Sequence, residues 1–169
     1  KVLREMGGEF SEGQFLGLAP IDGDAEIVIL SLPYELTTSY GQGTANGPAA
    51  CIEASGQVEL YDSLLDDDLP AGHSIVTAQP WDGEGGTLEE QLEGIEQYLK
   101  EWFTGDAFPV VLGGEHGSLP AEMRALSNHP TLGGNLDGLT LVQIDAHADL
   151  RDELDGEKYS HACAARRAL

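Results

Sequence analysis

Residues 108–116 read FPVVLGGEH, an apolar run that ends at two glycines and is followed by a glutamate and a histidine. A short apolar run of this kind is typical of a strand that is buried on both faces, as in a parallel sheet. The glycine pair predicts a turn directly after the strand. Glu115 and His116 are therefore predicted to lie just beyond the carboxyl end of a strand.

Three other segments are predicted to be strands. Residues 26–33 (EIVILSLP) are rich in aliphatic and β-branched side chains, and residues 139–144 (LTLVQI) lead directly into Asp145. Residues 74–77 give a weaker strand prediction. We thus expect four strands, two of which end directly before polar residues that could carry chemistry.

Helical patterns separate these strands. Thr87 is a predicted N-cap, and Glu90 three residues later completes a capping box. Apolar side chains then recur on one helical face, at Leu92, Ile95, Leu99 and Phe103. Further helices are predicted over residues 48–58, with Pro48 in the first turn, and from about Ser118 to Ser127. Alternating strands and helices predict an α/β fold with a parallel sheet covered on both faces.

The segment that follows the last predicted strand holds a metal-compatible pattern. Asp145, His147 and Asp149 alternate, so in an extended segment their side chains would share one face. Imidazole nitrogen and carboxylate oxygen together suit Mn²⁺, Zn²⁺, Fe²⁺ or Ni²⁺. In open α/β sheets, ligands bind beyond the carboxyl ends of the strands. Residues 115–116 and 145–149 are thus expected to meet there, although each motif alone could be a solvated loop or a simple turn.

Charge and cysteine content bound the partners and the compartment. Thirty acidic residues against eight basic ones give a formal net charge of −22. That charge disfavours nucleic acid and anionic membranes and attracts cations, although most of the carboxylates are expected to be solvated surface. Cys51 and Cys163 show no CxxC spacing, and no apolar run approaches the ~20 residues that span a bilayer. We expect a cytoplasmic protein with no membrane and no nucleic-acid partner.

Four motifs, taken in order, resemble the ureohydrolase family of arginases, agmatinases and related guanidine hydrolases. They are Gly47-Pro48-Ala49-Ala50, Gly113-Gly114-Glu115-His116, Asp145-Ala146-His147-Ala148-Asp149 and Tyr159-Ser160-His161-Ala162-Cys163. The resemblance implies a three-layer α/β/α fold with a central parallel sheet. It also implies hydrolysis of a guanidinium group by an enzyme that holds two Mn²⁺ ions.

The resemblance implies a role for each matching residue. His116 and Asp149 match the ligands of one Mn²⁺ ion and His147 matches a ligand of the other, while Asp145 matches the carboxylate that bridges both. His161 matches the family's proton shuttle, which protonates the leaving amine. No substrate-binding residue can be assigned in this way.

The same resemblance suggests a substrate and an assembly. Residues 149–153 and 159–162 are similar to the agmatinase branch, which implies conversion of agmatine to putrescine and urea in polyamine biosynthesis. Arginine, guanidinobutyrate and formiminoglutamate are the alternative substrates, and the expected partner is a small cationic guanidine substrate. The resemblance further implies a homo-oligomer, either a trimer or a hexamer.

The sequence also departs from the family pattern. Glu115 stands where aspartate is commoner and Gly117 where serine is common, so we expect local repacking rather than loss of metal. A downstream Ser-x-Asp-x-Asp-x-x-Asp-Pro motif, which supplies two more metal carboxylates, is absent, so four of six expected ligands are present. We therefore expect residues 1–169 to form one truncated domain, incomplete at its C-terminus and inactive alone, with an open sheet edge. A non-catalytic relic of the same fold is the competing hypothesis.

Overall fold

A parallel sheet organises the part of the chain that the computed structural model describes, namely residues 13–19, 24–83 and 85–169. The strands are β1 (Ile27–Leu32), β2 (Tyr61–Asp62), β3 (Asp67–Asp68), β4 (Ile75–Thr77) and β5 (Phe108–Gly113). β1 is the central strand of the parallel sheet, and the strand order is β4-β1-β5. A separate two-stranded antiparallel hairpin, β2-β3, lies outside this sheet.

Helices connect the strands and extend beyond them. The α-helices are α1 (Gly47–Ser55), α2 (Leu88–Phe103), α3 (Leu119–Ser127) and α4 (Ala164–Ala168). Single 3₁₀ turns occur at Phe15–Gly17, Thr44–Asn46, His116–Ser118 and His161–Cys163. Among the described residues, no helix combines the length and the apolar composition that crossing a bilayer requires.

Helices cover both faces of the sheet. Val28, Leu30 and Leu32 point to one face, where they join a buried cluster with side chains of α2 and α3. Ile29 and Ser31 alternate with them and are buried on the opposite face, since successive side chains of a strand point to opposite sides. Helix α1 contacts β1 and β5 but contributes no residue to the first cluster. The predicted α/β/α layering is therefore confirmed.

Several local predictions are confirmed with small shifts of boundary. Thr87 caps α2, and both hydrogen bonds of the capping box with Glu90 are present. The four apolar residues predicted to share one face of this helix are all buried, from Leu92 to Phe103. Helix α1 begins at Gly47 and ends at Ser55, three residues before the predicted end, because Gly56 is its C-cap.

The predicted strand at residues 139–144 is wrong. A strand requires hydrogen bonds to a neighbouring strand, and within the described ranges this segment pairs with neither edge of the sheet. Its apolar side chains face solvent instead, with Val142 76% and Ile144 98% exposed. The apolar pattern that suggested burial is present, but among the described residues no strand lies beside it.

The strand order creates a crevice at the carboxyl edge of the sheet. In the register, Leu32 at the end of β1 pairs with Gly113 at the end of β5. The chain leaves β1 toward α1 on one face and leaves β5 toward α3 on the other. Such a reversal is where open α/β sheets bind ligands. The loops after β1 and β5 therefore form the candidate site.

Candidate functional site

The two loops at this crevice are joined by backbone hydrogen bonds. The amide of Gly114 donates to the carbonyl of Leu32 at 3.0 Å, and that of Glu115 donates to the carbonyl of Tyr34 at 2.8 Å. A Cβ atom on Gly114 would lie 2.5 Å from the Tyr34 carbonyl oxygen and 3.0 Å from that of Thr44. Glycine at this position therefore allows the two loops to approach, which sets where the residues after it lie.

Three of the predicted metal ligands lie together just beyond β5. His116, Asp145 and Asp149 each offer one ligand atom, and these atoms lie within 4.8 Å of one another. His116 Nδ1 is 3.6 Å from Asp145 Oδ2, and His116 Nε2 is 3.7 Å from Asp149 Oδ2. The Asp149 side chain is only 7% exposed. The structure thus brings the histidine of the first motif to the two carboxylates of the second, across 29 or more residues of sequence.

His147, the fourth predicted ligand, lies beside this group but not within it. Its Nδ1 is 3.4 Å from Asp145 Oδ1, and its backbone amide donates to that same oxygen at 2.8 Å. The His147 side chain is 82% exposed. Asp145 therefore lies between His116, near one of its oxygens, and His147, near the other.

The backbone around Asp149 is held in an unusual conformation. Asp149 has φ of 51°, which is uncommon for a residue other than glycine but is tolerated by aspartate. Its carbonyl accepts from the amide of Arg166 at 3.0 Å, and its Oδ2 accepts from Gln143 Nε2 at 3.1 Å. Contacts from both sides of the loop thus direct the Asp149 carboxylate toward His116.

The electrostatics of Asp145 suit a metal ligand. The hydrogen bond from the His147 amide is the largest influence on the pKa of Asp145 and lowers it. Desolvation opposes this shift less strongly, and the charges of the His116 and His147 rings lower the pKa further. A carboxylate must be deprotonated to bind a cation. Asp145 is accordingly ionised at neutral pH.

His161, the predicted proton shuttle, lies next to this group. Its ring centroid is 6.1 Å from that of His116, with an angle of 40° between the ring planes. The His161 backbone amide donates to Oγ1 of Thr37 at 2.8 Å. The loop after β1 therefore holds His161 close to His116 from a position 124 residues away in sequence.

Glu115 has a larger structural role than its sequence position suggested. The residue is 4% exposed, and its Oε2 accepts from the amides of Leu36 and Thr37, both at 2.7 Å. Its Oε1 accepts from the hydroxyl of Thr37. Sequence reasoning predicted only local repacking here. The one available signal was the paired departure at positions 115 and 117, since nothing marks Thr37 in the sequence.

A second glutamate fixes the remainder of the loop after β1. Glu35 accepts from the amide of Gly43 at 2.8 Å and from that of Ala45 at 3.1 Å. These backbone hydrogen bonds, with the one from Ala45 the largest, lower the pKa of Glu35. Two carboxylates therefore hold this loop. Glu35 binds the amides at its far end, and Glu115 binds the amides near the candidate site.

An open groove of 410 Å³ borders the other side of Asp145 and His147. Apolar side chains complete its lining, among them Leu141, Leu150 and Leu169. Leu150 and Leu169 are 53% and 89% exposed. The metal-compatible group therefore has a buried side, toward the sheet, and an open apolar side.

Comparison with known proteins agrees with this geometry. Residues 25–169 match the Arginase family. The chain belongs to the arginase family. It is 35% identical over 154 residues to the N(1)-aminopropylagmatine ureohydrolase of Synechocystis sp., covering 86% of this chain and 47% of that protein. It is 31% identical over 162 residues to the agmatinase of Bacillus cereus, covering 94% of this chain and 52% of that protein.

A solved structure of the family superimposes on the fold. The agmatine ureohydrolase of Thermoplasma volcanium aligns with a TM-score of 0.73 and 29% identity. The alignment covers 88% of this chain and 48% of that one. The chain thus spans about half the length of the curated relatives it matches.

Proposed function

We propose that the whole protein hydrolyses a guanidinium compound, with agmatine as the substrate and urea and putrescine as the products. The observation that carries this proposal is the convergence of His116, Asp145 and Asp149 beside His161. This convergence occurs at the ligand-binding edge of the sheet, in a chain of the arginase family. Each of the four side chains suits a step of guanidinium hydrolysis.

The donor set fits divalent metal ions. One imidazole nitrogen and two carboxylate oxygens lie within 4.8 Å of one another, and this mixture suits Mn²⁺. In the proposal, His116 and Asp149 would hold one ion, His147 would hold the second, and Asp145 would be a ligand to both. When bound, such a pair of ions makes water nucleophilic near neutral pH.

The chain's own residues orient these groups and move a proton. Asp149 is held by the hydrogen bond from Gln143, and Asp145 by the hydrogen bond from the His147 amide. His161 has a ring nitrogen available at the edge of the group, and in the proposal it donates a proton to the amine nitrogen that leaves the guanidinium carbon. General acid catalysis of this kind contributes roughly 10²–10⁴ in rate.

The substrate class follows from charge and from the relatives. A net charge of −22 attracts cations and disfavours anionic substrates such as formiminoglutamate. Agmatine carries a cationic amine in place of the amino-acid end of arginine. N(1)-aminopropylagmatine is the second candidate, because the relative that is 35% identical is named for its hydrolysis. The two substrates differ only at the end distant from the guanidinium group.

The extent of the domain and the assembly belong to the same proposal. We take the described sheet to be part of one domain, with residues 1–12, 20–23 and 84 of the predicted domain outside the described ranges. Chain beyond these 169 residues would supply the two further metal carboxylates that the family resemblance implies. A homo-oligomer, trimer or hexamer, stays a prediction, which sedimentation velocity of the whole protein would test.

The test is urea release by the whole protein with added Mn²⁺. Agmatine, N(1)-aminopropylagmatine, arginine and guanidinobutyrate are supplied separately, and the kcat/KM values are compared. We expect kcat/KM for agmatine to exceed the values for arginine and guanidinobutyrate by about tenfold or more, which is within the range by which binding pockets discriminate similar substrates. Preference for the aminopropyl compound would select the second candidate, and no urea from any of the four would refute the proposal.

A further inference from the structure

We propose that Glu115 and Thr37 are positioning residues that determine which ring nitrogen of His161 carries the proton. This inference deepens the proposed function, since it concerns the group that would protonate the leaving amine. It rests on three hydrogen-bonded contacts that connect the loop after β5, the loop after β1 and the loop that holds His161.

Both carboxylate oxygens of Glu115 have hydrogen-bond donors. Glu115 Oε2 is occupied by two backbone amides, those of Leu36 and Thr37, each at 2.7 Å. Its Oε1 faces the Thr37 hydroxyl. In this contact the hydroxyl donates and the carboxylate oxygen accepts, and a threonine hydroxyl has only one hydrogen to donate. The single hydroxyl hydrogen of Thr37 is therefore committed to Glu115.

The oxygen of the Thr37 hydroxyl faces two nitrogen atoms of His161. With its hydrogen donated, Thr37 Oγ1 can act only as an acceptor, and it has two lone pairs. One accepts from the backbone amide of His161 at 2.8 Å. The other faces His161 Nδ1 at 3.3 Å. That contact is a hydrogen bond only when Nδ1 carries a hydrogen.

Nε2 lies on the opposite side of the His161 ring from Nδ1. With the hydrogen of neutral His161 on Nδ1, its Nε2 is the nitrogen that gains and releases a proton. Within the residues the structure describes, Nε2 of His161 has no hydrogen-bond partner, so it is free to serve a substrate. The proton that His161 gives to a leaving amine is therefore the one on Nε2, and Nδ1 keeps its own.

Burial of Glu115 keeps these hydrogen bonds, and so the orientation of the His161 ring, fixed. Glu115 is 4% exposed, so water cannot readily replace Thr37 as its partner. The threonine and the glutamate are 78 residues apart in sequence. The backbone hydrogen bond from the Glu115 amide to the Tyr34 carbonyl holds their two loops together. The imidazole is therefore oriented by groups that the fold has already placed before any substrate arrives.

The decisive variant is Glu115→Gln, which keeps size and shape but reverses one hydrogen bond. Its amide oxygen can still accept from the amides of Leu36 and Thr37. Its NH₂ group then faces Thr37 Oγ1 and donates to it, which frees the hydroxyl hydrogen to point at His161 Nδ1. The hydrogen of the neutral ring is then expected on Nε2 instead of Nδ1.

Long-range ¹H–¹⁵N spectra of the whole protein, labelled at histidine, report the tautomer directly. Spectra are recorded as isolated and after chelation, because paramagnetic Mn²⁺ broadens nearby signals, and the His161 peaks are assigned from their loss in His161→Asn. We expect the Nδ1–H pattern in the native protein and the Nε2–H pattern in Glu115→Gln. An Nε2–H pattern in the native protein, or no change in the variant, would overturn the proposal.

A second pair of variants keeps the test open if Glu115→Gln does not fold. Thr37→Val removes the hydroxyl at nearly constant volume, and Thr37→Ser restores it. With Val we expect loss of the Nδ1–H preference and a fall in kcat of about 10²-fold with KM and metal content unchanged, the scale of a misoriented catalytic group. Thr37→Ser should recover most of both effects, and equal spectra for Val and Ser would contradict the proposal.

These readouts separate the inference from the proposed function. The tautomer is measured without substrate, so it stands or falls even if none of the four guanidines is hydrolysed. Urea release that is unchanged in Thr37→Val while the tautomer shifts would refute the positioning role and leave guanidine hydrolysis intact.

Discussion

Gly117 lies directly against the side chain of Glu115, which precedes it by two residues in the turn that follows β5. A Cβ atom on Gly117 would be 2.7 Å from Oε1 of Glu115 and 3.4 Å from the ring of Tyr34. Oε1 cannot simply move aside, because the carboxylate is buried and hydrogen-bonded to the loop after β1. The two departures from the family pattern, Glu115 and Gly117, thus compensate for each other: the longer side chain occupies the room that the missing one leaves.

This contact predicts coupling between the two positions. Gly117→Ser alone should lower the free energy of unfolding by about 1–3 kcal/mol, as overpacking does in other buried sites. Glu115→Asp alone should also destabilise, because the shorter side chain leaves buried amide donors without an acceptor. The loss of unfolding free energy in the double variant should be smaller than the sum of the two single losses by about 1 kcal/mol or more.

Urea unfolding of the four proteins completes this thermodynamic cycle. Gly138→Ser is the matched control, since a Cβ at Gly138 would meet nothing within 4 Å. Strictly additive effects at positions 115 and 117 would show that the two departures are independent.

The two adjacent glycines at the end of β5 should respond differently to substitution by alanine: one variant should lose stability and the other should not. A Cβ on Gly114 would lie 2.5 Å from the carbonyl of Tyr34 and 3.1 Å from Cα of Ala45, and backbone atoms cannot turn away as side chains do. A Cβ on Gly113 would meet nothing within 4 Å. We expect Gly114→Ala to destabilise by about 2 kcal/mol or more and Gly113→Ala to change stability little. Thermal or urea unfolding of both variants measures this, and equal losses would contradict the close approach of the two loops.

Local patterns were sufficient to predict much of the fold. The capping box at Thr87 and Glu90 and the buried face of α2 depend on residues three or four apart, which a single sequence displays. β1 is apolar because both of its faces are covered, and its residues from Val28 to Leu32 are buried, whereas β5 is only partly buried. His116 was predicted to lie near Asp145 and Asp149 because two parallel strands were expected to end at one edge of the sheet. The three residues do lie together, but residues 139–144, which lead to Asp145, form a loop and not a strand.

Long-range pairing explains what the sequence could not predict. The apolar run at residues 139–144 is as hydrophobic as a strand, but strand formation depends on a partner, and Val142 and Ile144 are exposed. The contact of Thr37 with Glu115 and His161 joins segments 78 and 124 residues apart. A threonine in a loop has no local feature that would reveal such partners.

Burial of one carboxyl group predicts a pH-dependent contribution to stability. Desolvation raises the pKa of Glu122, opposed by a hydrogen bond from the Ser118 hydroxyl at 2.7 Å. A raised pKa in the folded state means that stability is fully present below the ordinary value of 4.5 and is lost as pH rises through the folded value. Glu122→Gln cannot ionise, so this variant should match the native protein in acid and become the more stable of the two toward neutral pH.

Urea unfolding of both proteins across the range from acid to neutral pH checks this sign. A stability difference that is constant with pH, or that favours the native protein at neutral pH, would rule out a desolvation penalty at Glu122.

Asp145 lies between two histidines, so its charge should be required for metal binding. Asp145→Asn keeps the shape but removes the negative charge shared between His116 and His147. We expect loss of both ions from the whole protein, measured by elemental analysis after dialysis against Mn²⁺. Asp152→Asn is the matched control, because Asp152 pairs with Arg166 and Arg167 in the same region and is not part of the metal-compatible group. Two retained ions in Asp145→Asn would refute the bridging assignment.

Guanidinium hydrolysis with His161 as the proton donor is tested most directly by one paired measurement. Bound metal and urea release from agmatine are determined side by side for the whole native protein and for His161→Ala. We predict equal metal content in both proteins and urea release that falls by roughly 10²–10⁴-fold in the variant. A native protein that binds its metal but releases no urea from agmatine or from the other three guanidines, or a variant that retains the full rate, would contradict the proposed chemistry.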